Sequence, residues 1–365
     1  MAVSRRRFMA SAASLPALAP ALGWAEAGAP DMIAAAQVAE GYRLVGLRGD
    51  GSLTFDLELP DRGHAAAAHP ERAEIVAFAR RPGTFALVVD CVSGTLRARL
   101  DAPLGHHFYG HGVFSPDGAL LFTTENAYET GAGRLGVWDA ASGYKRIGVI
   151  SSGGIGPHDV VLLPDGQTLA VANGGIRTHP ASGREKLNLS SMRPNLAYLR
   201  LRDGGLIEQV ELPDDLQENS IRHLAVAPDG LIALALQWQG DSADGVPLLA
   251  FHRQGDGSVR LADAPVHSLA AMQGYAGSVA FDRHGVRAAI TSPRGGRVMA
   301  WNIDGGTPDI WARPDVCGLA PGPRGWIATD GFGGVFSLGP DLTPARLRRH
   351  SLAFDNHLVG IREFA

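Results

Sequence analysis

The chain has 365 residues, of which 45% are hydrophobic and 19% charged, and its formal net charge at pH 7 is −4. This near-neutral balance, without a basic stripe, argues against nucleic acid or an anionic membrane surface as a partner. The length allows a large buried core, and 47 glycines and 23 prolines spread throughout indicate many short turns rather than long helices.

The N-terminus has the features of an export signal. Residues 4–9 (Ser-Arg-Arg-Arg-Phe-Met) contain the adjacent arginine pair recognised by the twin-arginine machinery. An apolar stretch from Ala10 to Leu22, too short for a permanent membrane span, precedes the small-x-small site Ala25-Glu26-Ala27. We expect residues 1–27 to be a removable signal and residues 28–365 to form one periplasmic domain without a membrane span.

A tight turn then recurs between pairs of apolar runs of strand length. Its sequence is Pro-Asp-Gly in three copies, ending at Gly118, Gly166 and Gly230, and weaker copies begin at His69, Asp282 and Gly322. Pro and Asp-Gly are typical turn residues. Four-strand units of about 40 to 65 residues are typical of propeller blades, whereas the 3.6-residue periodicity of helical solenoids is missing.

The blade number follows from the innermost strands. The last candidate innermost strand, at residues 355–361, is followed by too few residues to form the other three strands of its blade. The N-terminal segments 33–39, 42–47 and 53–59 can supply these three strands. We therefore predict an all-β, seven-bladed β-propeller closed by N- and C-terminal strands in one blade, with six or eight blades as alternatives. The other six innermost strands are expected to begin near His64, His111, His158, His223, Ser278 and Cys317.

The two cysteines are predicted to be unpaired. Cys91 is expected in the outer strand of blade two, and Cys317 at the start of the inner strand of blade seven. A disulfide needs Cα atoms within about 7 Å, which these positions do not allow.

In a propeller the first residues of the innermost strands converge at one mouth of the central channel. Histidine and cysteine there suit a transition metal. His64, His158 and Cys317 lie eight residues before the turn glycine or its equivalent, whereas His111 and His223 lie seven residues before it. Because side chains alternate faces along a strand, the residues of these two spacing classes need not all point inward. Alternatively, each histidine bonds only to backbone or a turn aspartate. The candidate metal ligands are His64, His111, His158, His223, His357 and Cys317.

Polar loops between second and third strands open on the same face, and the approach to blade three adds His106, His107 and Tyr109. Such a mouth is suited to a small ligand. The candidate ligand-binding residues are Glu125, Asn126, Asn173, His179, Arg222, Gln237, Arg294 and Asp330.

The mature chain resembles a family of twin-arginine-exported proteins classed as a domain of unknown function. The matching stretches are residues 110–118 (Gly-His-Gly-Val-Phe-Ser-Pro-Asp-Gly), 156–159 (Gly-Pro-His-Asp), 172–176 (Ala-Asn-Gly-Gly-Ile), 220–225 (Ser-Ile-Arg-His-Leu-Ala), 277–280 (Gly-Ser-Val-Ala) and 355–357 (Asp-Asn-His). Members of that family are typically encoded beside imelysin-type iron-regulated proteins and a di-haem oxidoreductase-like protein. The resemblance thus implies a periplasmic role in handling iron or another metal, by association.

Three functions follow as hypotheses. The first is binding of a metal ion, a haem-like ligand or a metal chelate at the histidine-lined mouth, in iron acquisition. The second is a metal-dependent, lactonase-like hydrolase with His111 or His158 as general base, in which Glu125, Asn173 and Asp330 imitate the ligands of propeller lactonases. The third is an interaction platform for imelysin-type partners. No G-x-S-x-G, H-E-x-x-H or C-x-x-C-H motif occurs, so no reaction is assigned.

Overall fold

The computed structural model describes residues 22–80, 83–183 and 185–361. The predicted twin-arginine motif lies outside the described residues. The described chain contains 28 β-strands in seven four-stranded antiparallel sheets. In chain order the strands are β1 (Met32–Val38), β2 (Gly41–Leu47), β3 (Leu53–Leu59), β4 (Gly63–Ala68), β5 (Glu74–Ala79), β6 (Phe85–Asp90), β7 (Leu96–Asp101), β8 (His106–Phe114), β9 (Leu120–Ala127), β10 (Ala132–Asp139), β11 (Lys145–Ser151), β12 (Pro157–Leu162), β13 (Thr168–Asn173), β14 (Asn195–Arg200), β15 (Leu206–Glu211), β16 (Asn219–Val226), β17 (Ile232–Trp238), β18 (Leu249–His252), β19 (Arg260–Leu261), β20 (Ser278–Phe281), β21 (Arg287–Ser292), β22 (Arg297–Asn302), β23 (Asp309–Ala312), β24 (Val316–Gly322), β25 (Gly325–Asp330), β26 (Gly334–Leu338), β27 (Pro344–Arg349) and β28 (Ala353–Gly360).

The seven sheets are the blades of a propeller, as the sequence predicted. Blade one has the strand order β28-β1-β2-β3, and blades two to seven are β4–β7, β8–β11, β12–β15, β16–β19, β20–β23 and β24–β27. Each blade places its first strand at the centre of the ring; in blade one this place is taken by β28. The turns between first and second strands contain the predicted Pro-Asp-Gly copies; at one of them, Gly118 has a φ of 67°.

Both ends of the chain meet in blade one. Strand β1 pairs with β28 in antiparallel register, from Met32 opposite Gly360 to Gln37 opposite Ala353. Apolar side chains of both strands, including Ala34 and Leu358, belong to one buried cluster. The pairing removes the free sheet edges that an open ring would expose. The predicted closure of the ring by its two termini is therefore confirmed.

Apolar side chains fill the spaces between adjacent blades. Trp326 of blade seven is completely buried in a cluster that also contains Ala280 of blade six, and its indole Nε1 donates a hydrogen bond to the Ala280 carbonyl, 3.1 Å. Burying one large apolar side chain contributes about 1.5 to 3 kcal/mol. The outermost strands are polar, as in β27, where no residue is buried. The core is thus a ring of seven interfaces around the channel.

Helices are few and short within the described residues. One α-helix, α1 (Val266–Ala270), precedes blade six, and four 3-10 helices lie in loops at Pro180–Ser182, Leu189–Ser191, Asp214–Leu216 and Ser242–Asp244. None of the helices in the described ranges has the length and apolar character that a membrane span requires.

Two placements differ from the sequence-based expectation. Cys91 follows β6, the third strand of blade two, instead of lying in the outer strand, because β7 begins only at Leu96. His106, His107 and Tyr109 belong to the long inner strand β8 and not to a loop. Both cysteines are unpaired, as predicted.

The chain also contacts the propeller before residue 28. The Trp24 side chain is 5% exposed, and its Nε1 donates a hydrogen bond to the His69 carbonyl, 2.9 Å. The Leu22 carbonyl accepts a hydrogen bond from the Ala73 backbone N–H, 2.9 Å. Trp24 shares an apolar cluster with Ile33 and other residues of blades one and two. Part of the predicted signal, at Leu22 and Trp24, therefore packs on the propeller, while the predicted domain start at residue 28 stays a prediction.

Candidate functional site

The inner strands carry a β-bulge at the predicted histidines. The strand register shifts between Gly63 and Ala66, between Phe108 and Gly112, and between Pro157 and Asp159 in blades two to four. Equivalent shifts occur in β16 and in the pairing of β28 with β1. A bulge adds a residue to one strand and redirects its side chains. Bulges occur in strands of both spacing classes, so histidines of both classes can face the channel.

The five histidines meet inside the channel. Neighbouring ring centroids are 4.6 to 5.9 Å apart, and His111 is within 5.3 Å of each of the other four. Each ring comes from a different blade, so blades one to five converge here. The cluster, called the histidine cluster below, consists of His64, His111, His158, His223 and His357.

Every ring in the histidine cluster has one buried nitrogen without a hydrogen-bond partner. Buried polar atoms are nearly always bonded in native proteins, so five exceptions around one point require an explanation. Two His-only triads, which share His111, have ligand atoms within 4.8 Å of one another. A metal–nitrogen bond of about 2.0 to 2.1 Å holds ligand nitrogens at most about 4.2 Å apart, so small side-chain shifts complete a site. The unpartnered atoms are His64 Nδ1, His111 Nε2, His158 Nδ1, His223 Nδ1 and His357 Nε2.

Asp159 orients one ring of the cluster. Its Oδ1 lies 3.1 Å from Nδ1 of His111, and its Oδ2 accepts a hydrogen bond from the Leu224 backbone N–H, 3.0 Å. A proton on Nδ1 of His111 then points at the carboxylate, which leaves the Nε2 lone pair free. In many metal sites a histidine binds the metal through one ring nitrogen and donates the proton of the other nitrogen to a carboxylate. Asp159 directly follows His158, but sequence reasoning did not select it.

The environment keeps four imidazoles of the cluster neutral. Burial, followed by the charges of neighbouring histidines and arginines, holds the pKa of His64, His158 and His223 well below the ordinary value of 6.5. Burial and His111 lower the pKa of His357 to about 3. Neutral imidazole is the form that binds metals. These groups are therefore in the ligating form at pH 7.

The structure does not bring Cys317 into the histidine cluster. Its thiol donates weak hydrogen bonds to the carbonyls of Phe354, 3.5 Å, and Thr329, 3.6 Å, within a buried apolar cluster. Burial raises the pKa of the Cys317 thiol to about 12, so the thiolate that binds metals is not populated. Cys317 thus contributes to packing between blades seven and one.

Three predicted ligand-binding residues are fully buried and bonded to nearby protein groups. The Asn173 side chain bonds Ser152 and Asn195 at 2.7 to 3.0 Å. Glu125 bonds Arg146 and His106, and Asp330 bonds Arg313 and two backbone N–H groups. Burial acts to raise the pKa of Glu125, but the bonds from His106 and Arg146 outweigh it, and the pKa is lowered. Glu125, Asn173 and Asp330, which the sequence suggested as lactonase-like metal ligands, therefore stabilise the blades through hydrogen bonds.

Three more candidates also hold loops in place. The Asn126 amide donates to His107 Nε2, 3.0 Å, and to the Thr178 carbonyl, 3.1 Å. His179 Nδ1 accepts the Ala181 N–H at the start of a 3-10 helix, and the Gln237 amide donates to the Ala276 carbonyl, 3.0 Å.

Arg222 lies in the inner strand β16, and Arg294 lies in the loop between β21 and β22. Arg222 immediately precedes His223 in the bulge of β16. The Arg294 guanidinium stands 4.4 Å from the ring centroid of Tyr275, whose hydroxyl accepts a hydrogen bond from Asn356, 3.2 Å. Sequence reasoning missed Arg62 and Arg80, which pair with Asp355 at 2.7 and 3.7 Å. The one available signal was that Arg62 and Asp355 each precede a cluster histidine by two residues.

Comparisons with known proteins agree with the fold. The model of the family described as "Protein of unknown function (DUF1513)" matches residues 57–361. None of the curated proteins compared with the chain matches it. Among solved structures, Kuenenia stuttgartiensis hydrazine synthase is similar, with a TM-score of 0.53, 17% identity and coverage of 72% of this chain and 71% of that chain. At this identity the similarity shows the fold alone.

Proposed function

The chain belongs to the DUF1513 family of proteins of unknown function, and we propose that it binds one transition-metal ion in the histidine cluster. The observation that carries this proposal is the set of five buried ring nitrogens without a hydrogen-bond partner, one on each histidine. A metal ion satisfies several such lone pairs at once. A purely structural histidine would bond to backbone or to an aspartate, as His179 does.

A single ion is favoured over two. The triads share His111, whose Nδ1 faces Asp159, so only its Nε2 is available to a metal. Two divalent ions about 5 Å apart repel by on the order of 10 kcal/mol at an effective dielectric constant of about 20. Within the described ranges, Asp159 is the one carboxylate with an oxygen within 4.0 Å of a ring nitrogen of the cluster, and one negative charge does not offset that repulsion.

The ligand set selects a class of metal. Imidazoles suit zinc, copper, nickel and iron, while magnesium and calcium prefer oxygen ligands. Ring centroids 4.6 to 5.9 Å apart leave no space for a planar macrocycle within the cluster. The haem-like ligand considered from the sequence therefore does not suit this position, whereas a single ion does.

The proposed setting is the periplasm. The arginine pair at residues 5–6 supports twin-arginine export, and the family resemblance supports a role in iron or other metal handling beside imelysin-type partners. Transport of a folded protein also suits a ring closed by its own two ends. A fusion of residues 1–30 to a reporter tests this proposal: export lost on replacing Arg5 and Arg6 by Lys supports it, and unchanged export contradicts it.

Metal titration of the purified chain tests the proposed site. We expect zinc, copper(II) and nickel to bind at one equivalent by calorimetry, confirmed by elemental analysis. The double variant His111→Asn/His223→Asn should bind at least about 100-fold more weakly, because one triad loses one ligand and the other loses two, and loss of even a group that only orients a ligand costs about 10- to 100-fold. His284→Asn, an exposed turn histidine, is the matched control and should bind normally. Unchanged affinity in a folded double variant, judged by circular dichroism, would contradict the proposal.

A further inference from the structure

Charged groups surround the histidine cluster on the side of the channel mouth. Asp355, two residues before His357, pairs with Arg62 Nε at 2.7 Å and with Arg80 NH1 at 3.7 Å. Arg62 itself lies two residues before His64. Blades one and two thus place two arginines and one carboxylate close enough to act electrostatically on His64 and His357.

Blades five and six supply further cations. Arg222 lies beside His223 in the chain, and its positive charge contributes to the lowered pKa of His158 and His223, after burial and the neighbouring histidines. Arg294 is held on Tyr275, which also bonds Asn356, the neighbour of His357. Arg294 is exposed and Arg222 partly exposed, and both lie close enough to Lys186 for their charges, after burial, to lower its pKa.

The local charge balance is positive before any ion binds. The charged groups around the cluster and its mouth are the cations Arg62, Arg80, Arg222, Arg294 and Lys186 and the carboxylates Asp159, Asp315 and Asp355, so five cations face three carboxylates. A divalent ion would add two positive charges to this excess, which is unfavourable in a poorly solvated channel.

We propose that the histidine cluster receives its metal together with an anionic, carboxylate-bearing chelator, which the arginines Arg222 and Arg294 bind at the channel mouth. This inference rests on the proposed metal binding. The chelator neutralises the excess charge, and guanidinium groups bind carboxylates through paired hydrogen bonds. The histidines hold the metal from below while the chelator occupies its outward coordination positions.

Equilibrium dialysis with radiolabelled citrate tests the chelator. The three samples are the full mature chain with zinc alone, with citrate alone and with zinc and citrate together. We expect about one citrate to be retained per chain with zinc, and at least about tenfold less without it. Retention that does not depend on zinc, or no retention by zinc-loaded protein, would overturn the inference.

Variants separate the chelator site from the metal site. Arg222→Gln/Arg294→Gln should retain citrate at least about tenfold less, yet bind zinc alone up to about tenfold more tightly, since two repelling charges are gone. Arg99→Gln, on the exposed outer strand β7, is the matched control and should retain citrate normally. A variant that loses zinc and citrate binding together contradicts the chelator role.

Two further results are decisive. Equal retention of radiolabelled inorganic phosphate would overturn the assignment to carboxylates, because a simple oxyanion would then suffice. If zinc binds with the expected stoichiometry while citrate is never retained, the chelator inference fails and metal binding stands. If zinc itself does not bind, the proposed metal site fails first, and the chelator inference fails with it.

Discussion

Oδ1 of Asp159 lies 3.1 Å from Nδ1 of His111, so a carboxylate of blade four orients an imidazole of blade three. The same carboxylate accepts the Leu224 backbone N–H of blade five through Oδ2, at 3.0 Å. Asp159 thus links three adjacent blades at the depth of the histidine cluster. Its position fixes which nitrogen of His111 is available to a metal.

Replacing Asp159 by asparagine should weaken metal binding without removing a ligand. The amide is nearly the same size, but it carries no negative charge and can present an N–H to Nδ1, which favours the wrong tautomer of His111. Loss of a carboxylate that orients a metal-binding histidine typically lowers metal affinity about 10- to 100-fold. Zinc calorimetry of Asp159→Asn measures the effect, with Asp165→Asn, in the turn of the same blade, as control. Equal affinities would contradict the assigned role.

The absence of a side chain at Gly110 leaves room for the His64 ring. A Cβ on residue 110 would lie 2.4 Å from Cδ2 of His64, and the φ of this glycine is 102°. We expect Gly110→Ala to displace the His64 ring and lower the zinc affinity measured by calorimetry. Gly105→Ala is the control: its φ is 83°, but no atom lies within 4 Å of the added Cβ. Each substitution destabilises the folded protein by about 1 kcal/mol or more through backbone strain. If both bind zinc alike, the contact has no functional role.

Much of the fold could be predicted because a propeller repeats one local pattern. Turn chemistry in each copy, such as Asp117 accepting the Ala119 N–H at 3.0 Å, is visible in the sequence. The N-terminal strands were located to within one residue because their apolar runs are bounded by Gly41 and Gly51. The contact of Trp24 with the core was missed, since it depends on a packing partner, Ile75, that is far away along the chain.

The site was predicted less completely than the fold. The five histidines share a place at the start of the inner strand, which the repeat reveals, whereas β-bulges decide where they point. Bulge positions depend on pairing between strands and are not encoded in spacing alone. For the same reason Glu125 and Asn173 looked accessible, although contacts between neighbouring strands and blades bury both completely. Asp159 was missed because its partners come from blades three and five.

His69, outside the histidine cluster, should make stability depend on pH. Its Nδ1 accepts the backbone N–H groups of Glu71 and Arg72 at 3.1 and 2.9 Å, which requires the neutral ring. Burial, with a smaller effect of the Arg72 charge, lowers the pKa of His69 from 6.5 to about 4. Between these values the unfolded chain binds a proton that the folded chain does not. The contribution of His69 to stability is therefore complete above pH 6.5 and is lost towards pH 4, by at most about 1.4 kcal/mol per pH unit.

The variant His69→Asn isolates this contribution. Asparagine keeps an acceptor for the two N–H groups but does not titrate. Urea unfolding of both proteins at pH 7, 6 and 5 should show a smaller loss of unfolding free energy in the variant as the pH falls. Other buried histidines act equally in both proteins, so the difference between the two slopes is the readout. Parallel slopes would show that His69 does not titrate as argued.

The packing of Trp24 leads to a prediction about processing. Cleavage after Ala27 would remove a side chain that is 5% exposed and hydrogen-bonded to the His69 carbonyl. Truncation of a buried Trp to Ala typically costs about 3 to 5 kcal/mol. Since Ala19-Pro20-Ala21 is also a small-x-small sequence, we expect the exported protein to begin at Leu22. The intact mass of protein recovered from the periplasm gives the cleavage position directly, and a chain beginning at Gly28 would contradict the prediction.

The same contact can be measured on purified protein. We expect residues 22–365 to unfold at a higher temperature than residues 28–365, and Trp24→Ala in the longer chain to remove most of that difference. Leu22→Ala is the control, because this side chain is 48% exposed and contributes mainly through its backbone carbonyl. If both lengths melt at the same temperature, the segment before residue 28 does not stabilise the closing blade. In that case cleavage would again be expected after Ala27, at the sequence Ala25-Glu26-Ala27.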